Sequence, residues 1–414
     1  MKNKCLVLAI VLAGILSLSV LVPVVSAADK VTIELWVLND QDKMYEPLIR
    51  DFVAENPNIE IKISTRTTDG HKEGLKVAAS SNTLPNLWFN WGGSLGSFYP
   101  ENGLTLDLTE YAEKGNWDEK YLEAGIELTK FDGQISGVPI KLASLGLFYR
   151  KDIFNDLGLQ VPTTFAELED VMETLKANGI TPISLGGRFG WMTMRFTEAI
   201  LEHFAGPELK DRLISLEESW DNPAVVQTYA KLKEWVDKEY FPPGFIVEDP
   251  SEVKIPLYRG TAAMVLEGPW FDTTMLNDEF DNSIVGFFPF PTDHTPMRVS
   301  SFVEMLQIRK DAPPEELEAA VQFALFATSK EMVEKYPEYY HWIVPVIGVE
   351  PPSELPNVPD MIAAMNGGTY VITDQALDQE MVSKFFEAQD NVVLGVFTPE
   401  EAAKFLENAA EMYR

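Results

Sequence analysis

The side chains in this chain that could do chemistry are its many carboxylates, its four histidines and its nine tryptophans. The histidines stand at positions 71, 203, 294 and 341, and none has the HExxH spacing that sets two imidazoles on one helical face for zinc. There is no GxSxG nucleophile elbow and no GxxxxGK[ST] phosphate loop, and Gly186-Gly-x-x-Gly190 lacks the GxGxxG form of a nucleotide site. Glu267 and Asp272 could be paired as a glycosidase dyad, but sequence cannot fix the ~5–9 Å separation such a dyad needs. The expectation is therefore no catalytic residue, no metal and no cofactor, with a secreted glycoside hydrolase, or a binder of a non-sugar solute, as the rival readings.

The aromatics are more informative. Trp91, Trp191 and Trp270 each follow the end of a predicted strand. A flat ring in such a place can grip the apolar C–H face of a pyranose while polar groups around it take the hydroxyls. Each tryptophan alone is as readily a core residue, and Trp36 and Trp235, which fall inside elements, are assigned to the core. Polar candidates surround the three. Asn39, Asp40 and Asn90 lie at the ends of the first and third predicted strands. His71 and Lys72 follow the second and could donate to hydroxyls, with a solvated helix start as the alternative. Arg188 could clamp a hydroxyl pair or form a surface ion pair. Glu267, directly before Gly268-Pro269-Trp270, could accept from hydroxyls.

These residues need a scaffold. Val31–Val37 alternates and is β-branched, which predicts a strand. Met44, Leu48, Ile49 and Phe52 share one face of a following helix that Asn56-Pro57 ends. Ile59, Ile61 and Ile63 mark a second strand, His71–Ala79 a short helix, and Pro85–Trp91 a third strand. Strand, helix, strand, helix, strand implies a parallel sheet with covering helices, whose ligand sits beyond the carboxyl ends of the strands. Further on, Thr164-x-x-Glu167 and Thr398-Pro-Glu-Glu401 predict capped helix starts. Strands are expected at Thr181–Leu185, Thr261–Glu267, Ile284–Phe288 and Ser300–Ile308. The region between Gly133 and Lys151 reads as a turn and two short strands, with Pro139 at an edge because it cannot donate to a ladder.

Several of these stretches carry a resemblance. Gly133-x-x-x-Gly137-Val-Pro, Leu147-Phe-Tyr-Arg-Lys-Asp-Ile-Phe and Leu157-Gly-Leu-x-x-Pro162-x-Thr-Phe-x-Glu-Leu resemble the extracellular solute-binding proteins of family 1, carbohydrate receptors of ABC importers related to maltose-binding protein. Tyr258-Arg-Gly-Thr-Ala-Ala-Met-Val-Leu-Glu-Gly-Pro-Trp270 and Val285-Gly-Phe-Phe-Pro-Phe-Pro291 are similar in the same order. The resemblance implies an α/β, two-lobed type II periplasmic-binding-protein fold. Each lobe would be a mostly parallel sheet flanked by helices, and a three-pass hinge would join the lobes. Residues 28–140 plus 300–343 would form the N-terminal lobe, and 141–299 plus 344–414 the C-terminal lobe. It further implies that Trp270 stacks on sugar and that Asp40 is a sugar-binding carboxylate. Ser301, on the strand expected to re-enter the first lobe, and Trp342, near the expected third crossing, complete the ligand-binding candidates. The partners would be a carbohydrate, probed by lobe closure, and a membrane permease. One departure stands out: Met365 and Asn366 occupy a place where some maltodextrin-binding relatives carry an aromatic, which argues against longer α-glucans.

At 414 residues the chain is too long for one core. A net charge of -31 argues against nucleic acid and for a soluble monomer. Lys2 and Lys4, the apolar run Leu6–Val22 and Val25-Ser26-Ala27 read as a signal peptide over residues 1–27, so the mature chain is expected to start at Ala28, secreted to the periplasm or the outer face of the cytoplasmic membrane. A retained anchor is the alternative. The only cysteine, Cys5, falls inside that signal, before the position a lipoprotein cleavage site would require.

Overall fold

The computed structural model describes residues 30–39, 41–340 and 343–414. The expected signal peptide, Asp40 and Trp342 lie outside the described residues. Among those described, no helix is long and apolar enough to cross a membrane.

Among the described residues twelve strands appear in chain order: β1 (Val31–Leu38), β2 (Ile59–Arg66), β3 (Leu87–Trp91), β4 (Lys130–Phe131), β5 (Gln134–Ile135), β6 (Val138–Ser144), β7 (Gly146–Arg150), β8 (Thr181–Ser184), β9 (Ala262–Glu267), β10 (Val285–Phe288), β11 (Val299–Ile308) and β12 (Thr369–Val371). Two sheets hold most of them. The first runs β12-β11-β3-β1-β2, with β6 also on β11; the second runs β10-β7-β9-β8. β4 and β5 form a small separate ribbon.

The first sheet follows from the predicted pattern. Ile33, Leu35 and Val37 alternate into the core of β1, and β1 pairs in parallel with both β2 and β3. The helix Asp42–Glu55 covers that face, where Phe52 packs edge-on to Phe323 of the helix Pro314–Ala327 at 5.3 Å. The helix Thr68–Ser81 covers the other, sending Leu75 and Ala78 into a small cluster with Trp88 and Tyr99.

A mostly parallel sheet describes the first lobe's strands but not the second's. Only β8 and β9 run parallel there; β7 pairs antiparallel with both β9 and β10. β8 and β9 are joined by a long helical excursion that supplies the crossover a parallel pair needs. β7 enters this sheet directly from β6 of the other one, after Leu145 alone. Pro139 sits in β6, whose strand partner is β11 and whose other side carries a bridge from Leu142 to Ile343, so its missing N–H breaks no central ladder.

Sheet membership departs from the expected lobe limits. β6 stays in the first sheet through Ser144, so the chain leaves it at Leu145 and not at 140; it returns with Val299 and not with 300. Within 344–414, assigned to the second lobe, β12 pairs with β11 of the first sheet. The third link is thus an excursion and not one pass. Ile343 and Val346 bridge to Leu142 and Tyr121, Asn357 then bonds Asp272, β12 rejoins the first sheet, and the helices Gln379–Val393 and Pro399–Ala410 pack beside the helix Pro223–Asp237.

Candidate ligand-binding cleft

A cavity of about 240 Å³ opens between the two sheets. Trp91, Phe302 and Glu304 line it from the first sheet, joined by Lys72 and by Asp374 and Gln375 near the end of β12. Trp191, Met194, Arg195 and Trp270 line it from the other side. Trp91, Trp191 and Trp270 stand at element ends, where a side chain can leave the core, whereas Phe302 and Glu304 sit within β11.

Strand register builds the first wall. Glu304 on β11 stands opposite Trp91 on β3 and Lys141 on β6. Directly opposed residues share a face of the sheet, so one row runs across three strands, with Phe302 two residues along on the same face. Lys72, one turn into its helix, places its ammonium 5.0 Å from the Trp91 ring centroid. Burial pushes the Glu304 carboxyl up to about 7, with the Lys141 charge opposing that rise. Burial likewise raises Asp374, against the Lys72 and Arg195 charges.

The second wall is built by two helix starts. Gly190, at φ 76°, turns the chain into the helix Trp191–Ile214, a conformation glycine adopts without penalty. Trp191 and Arg195 are four residues apart and so lie on one helical face, with the guanidinium 4.6 Å from the Trp191 ring centroid and 5.1 Å from that of Trp270. Trp270 opens the helix Trp270–Asn277 directly after β9. One oxygen, Glu267 Oε2, accepts from Trp270 Nε1 at 2.7 Å and from Arg195 Nη1 at 2.8 Å. The Trp270 ring in turn lies 5.8 Å from Phe302 at 35°, so the two walls touch through aromatics.

Of the residues singled out from sequence, Trp91, Trp191, Trp270 and Lys72 come together at this cavity. Glu267 lies behind Trp270 and Arg195 as their support. Asn39 is exposed at the end of β1, beside Leu38, which does line the cavity. Others go elsewhere. His71 is buried, and its Nε2 donates to the Phe89 carbonyl at 2.8 Å; burial pulls it down to about 4, so it is a neutral core histidine and not a ligand donor. Asn90 points to the opposite face from Trp91, as alternation requires, and donates to Gln307 at 2.7 Å. Ser301 is buried opposite Ser144 in the β11–β6 ladder, outside the cavity lining. Arg188 is exposed and pairs with Asp249 at 3.6 Å. Asp272, the other half of the conceivable dyad, is buried with both carboxylate oxygens on Asn357. Sequence reading missed Arg195, Phe302, Glu304, Asp374 and Gln375. Only Arg195 had a local signal, its i,i+4 spacing from Trp191.

Two α/β bodies linked by several chain passages, with a cleft between them and aromatic side chains on both walls, define the architecture of a two-lobed binding protein. The chain belongs to the bacterial extracellular solute-binding proteins, whose family model matches residues 37–334. It is 23% identical over 390 residues to a multiple sugar-binding protein of Streptococcus mutans, covering 89% of this chain and 87% of that one. It is 29% identical over 252 residues to an uncharacterized ABC transporter extracellular-binding protein of Pyrococcus horikoshii, covering 59% of this chain and 56% of that one. Among solved structures it resembles a chitin oligosaccharide binding protein, with a TM-score of 0.84 and 23% identity over 93% of this chain and 99% of that one. At that identity the likeness speaks for the type II solute-binding fold.

Proposed function

We propose that this chain is an extracytoplasmic carbohydrate receptor that closes on a sugar, an oligosaccharide in the first instance, and presents it to an ABC transporter permease. The observation that carries the reading is the convergence of Trp91, Trp191 and Trp270 on one cleft whose lining also includes Lys72, Arg195, Glu304 and Asp374. Rings supply stacking area for pyranose faces and the charged groups supply hydroxyl partners. The multiple sugar-binding relative and the chitin oligosaccharide binding protein support the same ligand class by their names.

The mechanism is a population shift. Sugar touches both walls only when the lobes are closed, so it favours the closed form by the difference in its affinity for the two forms. The hinge runs through Leu145 and the segment before Val299, with the residues after Val346 as a third connection. Residues 1–27 act as a signal peptide, the mature chain starts at Ala28, and the receptor works as a monomer outside the cytoplasmic membrane. On this reading nothing is bonded or cleaved, and the conceivable Glu267–Asp272 dyad does not form, because Asp272 is buried with both oxygens on Asn357.

Calorimetry of the purified chain against neutral mono-, di- and trisaccharides tests this. A 1:1 isotherm with no product on chromatography is expected; steady release of reducing sugar from any glycoside would replace the receptor with a hydrolase.

A further inference from the structure

Three residues that line the cleft each carry a buried acceptor atom with no hydrogen-bond partner among the described residues: Glu304 Oε2, Asp374 Oδ1 and Gln375 Oε1. All three are sealed from solvent by protein, and Glu304 and Gln375 are each only 4% exposed. One donor on the opposite wall is in the same state, Arg195 Nε. The contrast with the surroundings is sharp. Glu267, just behind Arg195, has an oxygen accepting from two donors, and Asn90 behind the sheet is fully engaged with Gln307, Leu95 and the Trp91 N–H.

Buried acceptors are ordinarily paired, because an unpaired one has lost its water and gained nothing. Three of them beside one cavity therefore describe what should enter it. The sheet register fixes where they are: Glu304 is held on the Trp91 face by its pairing with β3 and β6. Asp374 and Gln375 are carried by the residues directly after β12, whose pairing with β11 is parallel and in register.

Resting on the sugar reading above, we infer that Glu304, Asp374 and Gln375 form a donor-reading floor, which takes an unmodified hydroxyl edge of a neutral sugar and turns away sugars that present acceptor-only groups there, uronates and O-methyl ethers above all. A hydroxyl both donates and accepts, so one edge of a pyranose satisfies the floor while another meets Arg195 Nε. A carboxylate has no proton to give. It would face two acidic side chains and leave their acceptors unpaired, with only the Gln375 amide able to turn a donor toward it, which is selection by repulsion as well as by lost bonds. The Lys72 and Arg195 charges already act on Asp374, and the Lys72 ammonium stands over the Trp91 ring.

The test is a matched panel: glucose and glucuronate, galactose and galacturonate, mannose and mannuronate, and the corresponding disaccharides, titrated at about pH 8, above the value of about 7 to which burial pushes Glu304, and at 150 mM salt so that the chain's general negative field is screened beyond about 8 Å. The neutral member should bind at least tenfold tighter than its uronate. In a variant carrying Glu304→Gln and Asp374→Asn, amide donors replace the acceptors' charge and the ratio should fall below threefold, with circular dichroism and melting showing the fold retained. A single Glu304→Gln variant, if the pair fails to fold, should at least halve the ratio. Equal binding of neutral and acidic sugars by the native chain, or a ratio unchanged in the folded variants, overturns the donor-reading floor and leaves the receptor standing. Failure of every neutral and acidic sugar to bind overturns both.

Discussion

The indole Nε1 of Trp270 donates to Glu267 Oε2 at 2.7 Å, and the same oxygen accepts from Arg195. A ring at the mouth of a cleft is useful only if its plane is fixed before the ligand arrives, since orienting it at binding would cost entropy. Here a buried carboxylate three residues upstream does the fixing, and the guanidinium it holds sits between the two indoles of its wall.

Glu267→Ala should therefore lose on two measurements. Arg195 and Glu267 form an ion pair with both side chains 8% exposed, and removing one partner of a buried pair costs roughly 3–5 kcal/mol. Denaturant unfolding should show a loss of that order, and calorimetry at a temperature where the variant is folded should show at least tenfold weaker sugar binding. Full affinity in the folded variant would show that the tether does not position Trp270.

Trp270→Ala and Trp235→Phe should separate binding from folding. Trp270 lines the cleft, while Trp235 is fully buried, donates to Glu169 and stacks at 20° on Phe165. The first change should weaken sugar binding tenfold or more, about 1.4 kcal/mol, with little change in melting. The second should lower the melting temperature and leave affinity within twofold. Calorimetry and thermal melts of the two side by side check both.

The buried His71 makes stability fall with acid. Its folded-state value is pulled down to about 4 from an ordinary 6.5. A lowered value means the folded state binds fewer protons than the unfolded one, so stability rises with pH between those values. The contribution is intact above about 6.5, erodes as pH drops below it, and is lost by about 4, for a limiting change of roughly 3 kcal/mol. His71→Gln, whose amide can still donate to the Phe89 carbonyl, should flatten this part of the stability–pH curve relative to the native chain. Identical slopes between pH 4 and 6.5 would place His71 in contact with solvent.

How much of this was legible depended on whether the signal was local. The alternation of Ile33, Leu35 and Val37 set β1, and both capping boxes formed where Thr164–Glu167 and Thr398–Glu401 predicted them. The three cleft tryptophans were visible because each ends or follows a strand. Glu304 was not, although its strand was. Which face it presents depends on register with β3 and β6, partners more than 150 residues away, and a slip of one residue would have hidden it. Asp374 and Gln375 fall in a stretch with no periodic pattern, and their place follows only from the pairing of β12 with β11. His71 was misread for the converse reason: a polar side chain on a helix start looks solvated until the strand beneath it offers a carbonyl.

The bodies on either side of the cleft are also stitched by a buried carboxylate, and this yields a last expectation. Glu198, inside the helix that carries Trp191 and Arg195, accepts from Ser300 Oγ of β11 at 2.6 Å and from the Thr373 N–H after β12 at 2.7 Å. One turn on, Glu202 takes Arg298 through two nitrogens at 2.9 and 3.0 Å, and Arg298 reaches Asp211 as well. Every donor to Glu198 comes from the first sheet's side, so this helix is anchored to β11 even as its first turn faces the ligand. Burial raises the Glu198 carboxyl, and the hydrogen bonds and the Lys210 charge act against that rise. Ser300→Ala removes a charge-assisted bond and leaves an oxygen sealed and unpaired, at a cost of about 1–3 kcal/mol. Glu198→Gln should cost a similar amount, because one end of the amide must turn a donor toward another donor. If the stitch also sets where Trp191 and Arg195 stand, both variants should weaken sugar binding by more than threefold in addition to lowering stability. Affinity unchanged in two destabilised variants would confine the network to holding the fold.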